Sequence, residues 1–247
     1  RLICQIKIII FKYICLYNIS KICHFFKTGG ILVDKTEITY HGHSMFEIKS
    51  ASGVKLITDP YNEKIKNTLP DVSGDIILVS HDHFDHANTS IVRGNPRIIN
   101  KPLEEKVDGI WIKGIKTYHD TKEGQLRGQN IIFKFTVDGI IFVHMGDFGD
   151  DMDIKIEESL KDVDVLMIPV GGTYTINAYS AFDIVKKLVP PVVISMHYKE
   201  SDSKLDIDKV DNFLNKWPGY KKVGHTASFS KNDLPFEGTE VWIFESK

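Results

Sequence analysis

Short runs of apolar residues, each bounded by polar or turn-forming residues, recur along most of the chain and predict a protein rich in β-strands. The predicted strands lie at residues 38–40, 46–49, 54–58, 76–79, 97–99, 110–118, 130–137 and 140–143, with a further β-type run at 192–195. Ser52-Gly53 and Asp138-Gly139 are turn signals between neighbouring runs, and the second is typical of a β-hairpin. The first three runs are therefore expected to form an antiparallel meander.

Apolar residues at helical spacing predict three helices later in the chain, at residues 153–160, 178–188 and 206–217. Pro190-Pro191 ends the second helix, because proline cannot continue one. The third has an apolar face formed by Ile207, Val210, Phe213, Leu214 and Trp217. Strands before helices, and helices between the late strands, indicate an α/β or α+β fold. The pattern alone does not give the number of layers.

The composition divides the chain into a leader at residues 1–33 and a folded domain at residues 34–247. The whole chain has 247 residues, which suits one α/β domain. Arg1 to Thr28 lacks aspartate, glutamate, glycine, alanine, valine and proline, yet it holds all three cysteines. We favour the interpretation that the leader is upstream DNA translated in frame, with the start near Val33. The alternatives are a membrane anchor and an amphipathic extension. In a membrane anchor, lysines would interrupt the apolar run.

Charge and cysteine content narrow the classes of function. Residues 34–247 contain 26 of the 31 basic residues and all 33 acidic ones, which gives a net charge of −7. This balance offers no electrostatic basis for binding nucleic acid. The same residues contain no cysteine, so the domain needs no disulfide, and any metal in it would be bound by nitrogen and oxygen. We expect a cytoplasmic location and no membrane contact for the domain.

The most informative chemistry lies in the run Ser80-His81-Asp82-His83-Phe84-Asp85-His86, directly after the apolar run at residues 76–79. Imidazole and carboxylate are the ligand types that suit borderline divalent metals such as zinc. His81 and His83 alternate as on an extended segment, so both can point the same way. Asp85 and His86 lie beyond the bend and can face a second metal. The run therefore predicts a metal site where a buried strand ends.

This run resembles the signature His-x-His-x-Asp-His of the metallo-β-lactamase superfamily. Further candidate ligands follow in the order of that superfamily, each after a short β-type run: His119, Asp147 and His197. The resemblance extends over roughly residues 36–247 and implies a four-layer αββα sandwich, in which two mixed β-sheets are flanked by helices. Three further segments are similar to the ascorbate-6-phosphate lactonase group: Tyr40-His41-Gly42-His43-Ser44-Met45-Phe46, Thr58-Asp59-Pro60-Tyr61 and Val170-Gly171-Gly172-Thr173-Tyr174.

For the site, the resemblance implies two divalent metal ions, with zinc expected and manganese, iron or nickel as alternatives. One ion would be held by His81, His83 and His119, and the other by Asp85, His86 and His197. Asp147 would bridge the two ions, and Asp85 and Asp147 would be the catalytic carboxylates. Two ions in one site lower the pKa of a shared water, so that a bridging hydroxide exists at neutral pH.

The implied function is a metal-dependent hydrolase of a small ester, lactone or phosphoester. The alternatives are a phosphodiesterase acting on nucleic acid or a phospholipid headgroup, and a non-catalytic metal-binding protein. We expect a small-molecule substrate as the partner. The sequence leaves the oligomeric state open, a homo-oligomer included.

Residues outside the ligand set are candidates for supporting roles. Asp59 is expected to accept a hydrogen bond from a ligand imidazole, and His43 is expected to lie just outside the ligands. Candidate substrate contacts are Thr173 and Tyr174, which follow a Gly-Gly turn, and Arg127, which also suits a structural ion pair. Structural roles are expected for His41, His144 and His225, whereas Asp120 suits either the orientation of His119 or support of its own loop.

Overall fold

A computed structural model describes residues 35–247, and the predicted leader at residues 1–33 lies outside the described residues. The strands are β1 (Thr36–Gly42), β2 (Met45–Lys49), β3 (Lys55–Thr58), β4 (Val72–Ser73), β5 (Ile76–Leu78), β6 (Val92–Arg93), β7 (Arg97–Ile99), β8 (Glu104–Val107), β9 (Ile110–Tyr118), β10 (Gln129–Val137), β11 (Ile140–His144), β12 (Val165–Pro169), β13 (Val192–Met196), β14 (Lys221–Lys222), β15 (Thr226–Phe229) and β16 (Glu240–Ile243). The α-helices are α1 (Ile154–Ser159), α2 (Ala178–Leu188) and α3 (Asp211–Leu214).

Two mixed sheets form the frame of the domain. The six-stranded sheet has the order β15-β1-β2-β3-β5-β7, with β1 to β3 antiparallel, as predicted, and β3, β5 and β7 parallel. The eight-stranded sheet has the order β14-β16-β13-β12-β11-β10-β9-β8. Its strands are antiparallel from β8 to β11 and parallel from β11 to β14. The predicted hairpin joins β10 to β11 at Asp138-Gly139. The expectation of two mixed sheets in an α+β sandwich is confirmed.

The two sheets share one apolar core, which explains the continuous apolar run of β5. Ile76 and Leu78 belong to the same buried cluster as Phe133 and Phe135 of the other sheet. Ile77, between them, belongs to a second cluster. Successive strand residues point to opposite faces, so β5 is covered on both sides. A strand buried in this way holds the loop that follows it at a fixed position.

Two of the predicted helices are present, with identifiable ends. Asp153 caps α1, because its side chain accepts a hydrogen bond of 2.7 Å from the Ile156 N–H. Asn177 caps α2 in the same manner, and α2 ends at Val189, which has a left-handed backbone (φ 46°), directly before Pro190. Within residues 35–247, the three α-helices all follow β11 in the chain. The cluster on the other face of the six-stranded sheet takes its remaining members from loops and from β4 and β6: Tyr61, Ile65, Val72, Val79 and Val92.

The prediction of a long third helix at residues 206–217 is wrong, because α3 spans only Asp211–Leu214. The Asp208 N–H donates to the Gly171 carbonyl at 2.8 Å, and the Asp208 carbonyl accepts from the Lys199 N–H at 2.8 Å. These tertiary bonds occupy backbone groups that a helix would use. The pattern analysis also omits β12, whose five residues are all buried and do not alternate with polar ones.

The described residues include no helix that is long and apolar enough to cross a membrane.

Candidate metal centre

The candidate ligands lie at one edge of the sandwich, where strands of both sheets end. His81, His83, Asp85 and His86 occupy the loop after β5, His119 follows β9, Asp147 lies in the turn after β11, and His197 follows β13. Because β11 and β13 run in one direction and β9 runs parallel to them, their carboxyl ends meet at the same edge. Loops at this edge are the usual location of ligand sites in sheets with parallel strands.

The first group of candidate ligands consists of His81, His83 and His119. One ring nitrogen of each lies within 4.8 Å of the others. The ring centroids of His81 and His119 are 4.8 Å apart, and those of His83 and His119 are 5.3 Å apart. His81 and His119 are buried, whereas His83 is exposed. The group therefore combines two buried imidazoles with one that faces solvent.

The second group consists of Asp85, His86 and His197, and the structure adds His43 to it. His43 Nε2 lies 3.2 Å from Asp85 Oδ2. The His43 and His197 ring centroids are 4.3 Å apart, and the His86 and His197 rings are stacked at 5.7 Å. Sequence reasoning puts His43 just outside the ligands, and the structure brings its ring among them.

Asp147 lies between the two groups and contacts both. Its Oδ2 atom is 3.2 Å from His119 Nε2 and 3.2 Å from His197 Nε2. Its Oδ1 atom is 3.2 Å from His86 Nε2. Asp147, His81 and His86 also form a third set of converging ligand atoms. A carboxylate in this position can contact an ion held by either group.

The converging nitrogen and oxygen atoms are better placed to bind a metal ion than to form hydrogen bonds with one another. Buried polar atoms that make no hydrogen bond with the described residues include His81 Nε2, His86 Nε2, Asp147 Oδ1 and both ring nitrogens of His197. Burying such atoms without partners is costly, and native proteins rarely leave them so. Ligand atoms placed about 2.0–2.2 Å from one tetrahedral ion lie roughly 3.3 Å apart. The 3.2 Å separations around Asp147 match that spacing, so this set of nitrogen and oxygen atoms fits a divalent metal.

Asp59 and Ser80 hold the ligand loop in place. Asp59 is fully buried, and it accepts hydrogen bonds of 2.7 Å from both the N–H and the hydroxyl of Ser80. Its Oδ2 atom also lies 2.9 Å from His86 Nδ1, which leaves His86 Nε2 directed at Asp147. Ser80 Oγ in turn lies 2.9 Å from His81 Nδ1. Sequence reasoning predicts the contact from Asp59 but misses Ser80. The signal that could have indicated Ser80 is its position directly before His81.

Asn130 fixes the turn that carries Asp147. Its Oδ1 atom accepts a hydrogen bond of 2.9 Å from the Asp147 N–H. Its Nδ2 group donates to the Met145 carbonyl and to Thr117 Oγ1, each at 2.9 Å. Asn130 is fully buried. Sequence reasoning misses this role, although a polar residue beside two isoleucines in a buried strand is a usable signal.

Three residues of the centre adopt left-handed backbone conformations, which are unfavourable for side chains other than glycine. The φ angles are 57° at His43, 38° at Asp59 and 51° at His197. The His197 N–H donates to the His43 carbonyl at 2.8 Å, which joins two of these residues. A Cβ atom on Gly171 would overlap the carbonyl oxygen of His197, so this close approach requires glycine. The fold thus imposes strain to direct these side chains into one site.

The pKa shifts of His81 and Asp147 suit metal ligation, whereas that of His86 opposes it. Burial lowers the pKa of His81 to about 3, so its ring is neutral. Burial raises the pKa of Asp147, but the facing imidazoles of His197 and His86 outweigh it and hold that pKa well below its usual value. Burial lowers the pKa of His86, but the carboxylates of Asp147, Asp85 and Asp59 raise it well above its usual value. An ion bound there would have to displace that proton, since metals bind the neutral imidazole.

The remaining candidate histidines and Asp120 contact the backbone or a surface carboxylate. Buried His144 has Nε2 2.9 Å from the Ser44 carbonyl, and its Nδ1 accepts from the Gly146 N–H at 3.2 Å. His225 Nδ1 lies 3.0 Å from the Glu245 carbonyl, and His41 Nε2 lies 3.6 Å from Glu47 Oε2. Asp120 supports its own loop, because it accepts hydrogen bonds from four backbone N–H groups: those of Lys122, Gly124, Leu126 and Arg127.

A cleft of about 350 Å³ opens over the centre. It is lined by His83, Phe84, Asp85, His119, Leu126, Arg127, Asp147, Tyr174 and Leu205. Arg127 and Tyr174, two predicted substrate contacts, therefore border the centre. The third, Thr173, contributes its carbonyl, which accepts a hydrogen bond of 3.1 Å from Arg127 Nη2. The Arg127 guanidinium lies 5.7 Å from the centroid of the Tyr174 ring, and no carboxylate of the described residues forms an ion pair with it.

Comparison with known proteins decides the family. The family described as "Beta-lactamase superfamily domain" matches residues 37–197. The crystal structure of a candidate Zn-dependent hydrolase of the metallo-β-lactamase superfamily from Thermotoga maritima is similar, with a TM-score of 0.70 and 34% identity. The match covers 85% of this chain and 100% of that one. The chain belongs to the metallo-β-lactamase superfamily.

This superfamily member is also similar to curated proteins named UPF0173 metal-dependent hydrolases. The relative from Thermoplasma volcanium is 28% identical over an alignment of 192 residues, and the match covers 67% of this chain and 85% of the relative. The relative from Bacillus cereus (strain AH187) is 26% identical over an alignment of 218 residues, and the match covers 73% of this chain and 95% of the relative. The predicted superfamily is confirmed, and the chain falls among its metal-dependent hydrolases.

Proposed function

We propose that this chain is a hydrolase with a dinuclear metal centre, which cleaves a small ester, lactone or phosphoester. One ion would be held by His81, His83 and His119, the other by Asp85, His86 and His197, with Asp147 between them. The observation that carries the proposal is the position of Asp147. Its two oxygens face imidazoles of both groups at 3.2 Å, and Oδ1 makes no hydrogen bond with the described residues.

Zinc is the metal we propose, with manganese, iron and nickel as alternatives. The donor set contains only imidazole nitrogen and carboxylate oxygen, which all four metals accept. Metals bound in such a centre would lower the pKa of water and polarise the oxygen of the scissile group.

The side chains of the centre have separable roles in this proposal. Asp147 would orient the attacking water and pass its proton towards the leaving group. His43 would donate to Asp85 across their 3.2 Å separation and so fix the direction of that carboxylate. Asp59 would do the same for His86, as a carboxylate commonly does for a metal-bound imidazole. The cleft would bring the substrate to His83, Asp85, His119 and Asp147, which all line it.

Two alternative functions have less support. A phosphodiesterase acting on nucleic acid or a phospholipid headgroup would need basic surface, whereas residues 34–247 carry a net charge of −7. A non-catalytic metal-binding protein would not need an open cleft over its ligands.

We also propose a small-molecule substrate and a cytoplasmic location, the latter because residues 34–247 contain no cysteine that could form a disulfide. Similarity to the ascorbate-6-phosphate lactonase group stays a prediction.

The test is metal-dependent turnover on a substrate panel. Protein stripped with a chelator would be reloaded separately with zinc, manganese or nickel and assayed on a lactone, a carboxylic ester, a phosphodiester and a β-lactam. We expect at least one substrate to be hydrolysed, with activity that disappears on chelation and returns with metal. Failure to hydrolyse any of them with both metal positions filled would support the non-catalytic alternative.

A further inference from the structure

The cleft over the metal centre has one charged side and one apolar side. Its floor contains the four ligands His83, Asp85, His119 and Asp147. Its wall contains two aromatic side chains and two leucines: Phe84, Tyr174, Leu126 and Leu205. Water-exposed metal chemistry does not require such a wall. The wall therefore requires an explanation of its own.

The wall differs from the rest of the protein surface in the number of exposed apolar side chains that it groups together. Nine large apolar side chains are exposed within residues 35–247, and three of them line this cleft: Phe84 at 45%, Leu126 at 66% and Tyr174 at 39%. Exposed apolar residues scattered singly need no explanation, whereas a group of them marks a binding surface. Because these side chains lie beside the candidate ligands, we expect this surface to bind the same molecule that reaches the metals.

The wall is held in position by contacts on each side. Leu126 lies in the loop that Asp120 organises, and its own N–H donates to Asp120 Oδ2 at 3.0 Å. Tyr174 is covered by the Arg127 guanidinium at 5.7 Å, and Arg127 also bonds to the adjacent Thr173 carbonyl. Phe84 lies between two candidate ligands in the chain, with Lys64 Nζ 5.3 Å from its ring centroid. A wall fixed before binding loses less entropy when a ligand packs on it.

Apart from the proposed metal ions, the cleft offers few groups that would hold a phosphate. Among the described residues, Arg127 is the one lysine or arginine that lines the cleft, and its Nη2 group already donates to the Thr173 carbonyl. The two carboxylates that line the same cleft, Asp85 and Asp147, would be taken up as ligands of the proposed ions. Beyond metal ions, recognition of a phosphoryl group ordinarily uses bidentate arginines or several cationic side chains, and the described lining supplies one arginine. The side chains therefore favour an ester or lactone over a phosphoester.

We infer that the substrate is a carboxylic ester or lactone that carries an apolar group next to the scissile bond, and that this group packs on Phe84, Leu126 and Tyr174. The inference rests on the proposed hydrolase function and specifies its substrate class. A volume of 350 Å³ accommodates roughly a dozen non-hydrogen atoms at about 30 Å³ each. The apolar group is therefore of medium length, near that of an octanoyl chain.

The reaction itself consumes one water. A bond forms between the water oxygen and the acyl carbon, and the bond from that carbon to the ester oxygen breaks, with its electron pair staying on the ester oxygen. One of the two water protons goes to that oxygen, which becomes an alcohol, and the other is released as the acid ionises. The products are a carboxylate, an alcohol and one proton, with the first two joined in one molecule when the substrate is a lactone.

The experiment compares chain lengths within two substrate series, using the metal-loaded full-length protein. Ethyl acetate is paired with ethyl octanoate, and γ-butyrolactone with γ-decalactone; hydrolysis is followed by proton release. Each buried methylene multiplies kcat/KM by about fourfold. We expect the longer member of a hydrolysed pair to be favoured by at least about tenfold, because the open cleft buries only part of the chain. Calorimetry with octanoate and butyrate provides a second readout, and we expect octanoate to bind more tightly, with a negative heat-capacity change.

Leu126→Ser tests the wall directly, and Ile154→Ser is the matched control. Ile154 is 78% exposed and does not line the cleft. We expect Leu126→Ser to reduce the ratio of long-chain to short-chain kcat/KM by at least about fivefold, and Ile154→Ser to leave the ratio within about twofold of the unsubstituted protein.

The outcomes separate this inference from the proposed function. Equal rates for long and short substrates, or a ratio unaffected by Leu126→Ser, would overturn the apolar substrate and leave the hydrolase intact. Hydrolysis of bis(p-nitrophenyl) phosphate alone, with neither ester nor lactone cleaved, would also overturn it and establish a phosphodiesterase. No hydrolysis of any of these compounds at full metal loading would reject the hydrolase itself, and the substrate class with it.

Discussion

Asp147 is the residue of the centre whose position is least favourable in the absence of a bound ion. Its side chain is buried, and its two oxygens lie 3.2 Å from imidazoles that belong to different ligand groups. Without an ion, this carboxylate and these imidazoles are packed together with unmatched hydrogen-bonding atoms. This arrangement becomes favourable only if cations occupy the space between the carboxylate and the imidazoles.

Replacement of Asp147 by alanine is expected to reduce turnover by orders of magnitude while the fold persists, because Asp147 lies at a strand edge outside the apolar core. Turnover and circular dichroism would be measured together, with the exposed Asp151→Ala as the matched control. Near-normal turnover of Asp147→Ala at full metal loading would show that this residue does not bridge the ions.

Asp59 is expected to act through His86, not on the substrate. Asp59→Ala would remove the 2.9 Å contact to His86 Nδ1 and both contacts to Ser80. We expect metal affinity and turnover to fall by roughly 10–100-fold, which is typical of such supporting residues. The matched control is Asp75→Ala, since exposed Asp75 also accepts a backbone hydrogen bond, from Lys55. Equal effects of the two substitutions would mean that Asp59 has only a structural role.

His144 is expected to make the protein less stable in acid. Burial lowers the pKa of His144 below its ordinary value of about 6.5. Below pH 6.5 the unfolded chain therefore binds a proton that the folded chain does not, and the free energy of unfolding decreases as the pH falls. This contribution reaches up to about 1.4 kcal/mol per pH unit. Urea unfolding at pH 7.5, 6.5 and 5.5 should show a steeper acid loss for the unsubstituted protein than for His144→Gln, and parallel curves would refute the assignment.

At the scale of elements, the strand ends were predictable and some connections were not. Each candidate ligand follows a short apolar run, so the sequence indicates that strand ends carry the chemistry. Helix α3 is shorter than its apolar face suggests, because tertiary hydrogen bonds at Asp208 compete with helical ones. The apolar wall was also not predictable, because Phe84, Leu126 and Tyr174 lie in separate segments that meet only in the fold.

The loop at residues 120–127 provides a prediction at this scale. Asp120→Ala would leave four backbone N–H groups without their acceptor. We expect faster hydrogen exchange at Lys122, Gly124, Leu126 and Arg127, together with a higher KM and an unchanged metal content, because the loop carries the wall and not the ligands. The control is Asp183→Ala on the exposed face of α2. Loss of metal in Asp120→Ala would instead indicate that the loop positions His119.

At the scale of the whole molecule, the proposed centre joins the two sheets. The loop after β5 belongs to the six-stranded sheet, whereas His119, Asp147 and His197 follow strands of the eight-stranded one. Resemblance to the superfamily predicted the fold, which is confirmed, and a set of candidate ligands whose side chains the structure brings together. It could not supply the substrate class, because the superfamily signature does not specify the residue type at Phe84 and does not include Leu126 or Tyr174.

The number of bound metal ions tests the central claim most directly. Stripped protein would be reloaded with zinc, passed through a desalting column and analysed by inductively coupled plasma mass spectrometry. The account predicts about two equivalents per chain, and about one each for His83→Ala and His197→Ala, since these substitutions remove ligands of different ions. A saturating value of one equivalent for the unsubstituted protein, with metal content unaffected by His197→Ala, would contradict the dinuclear centre.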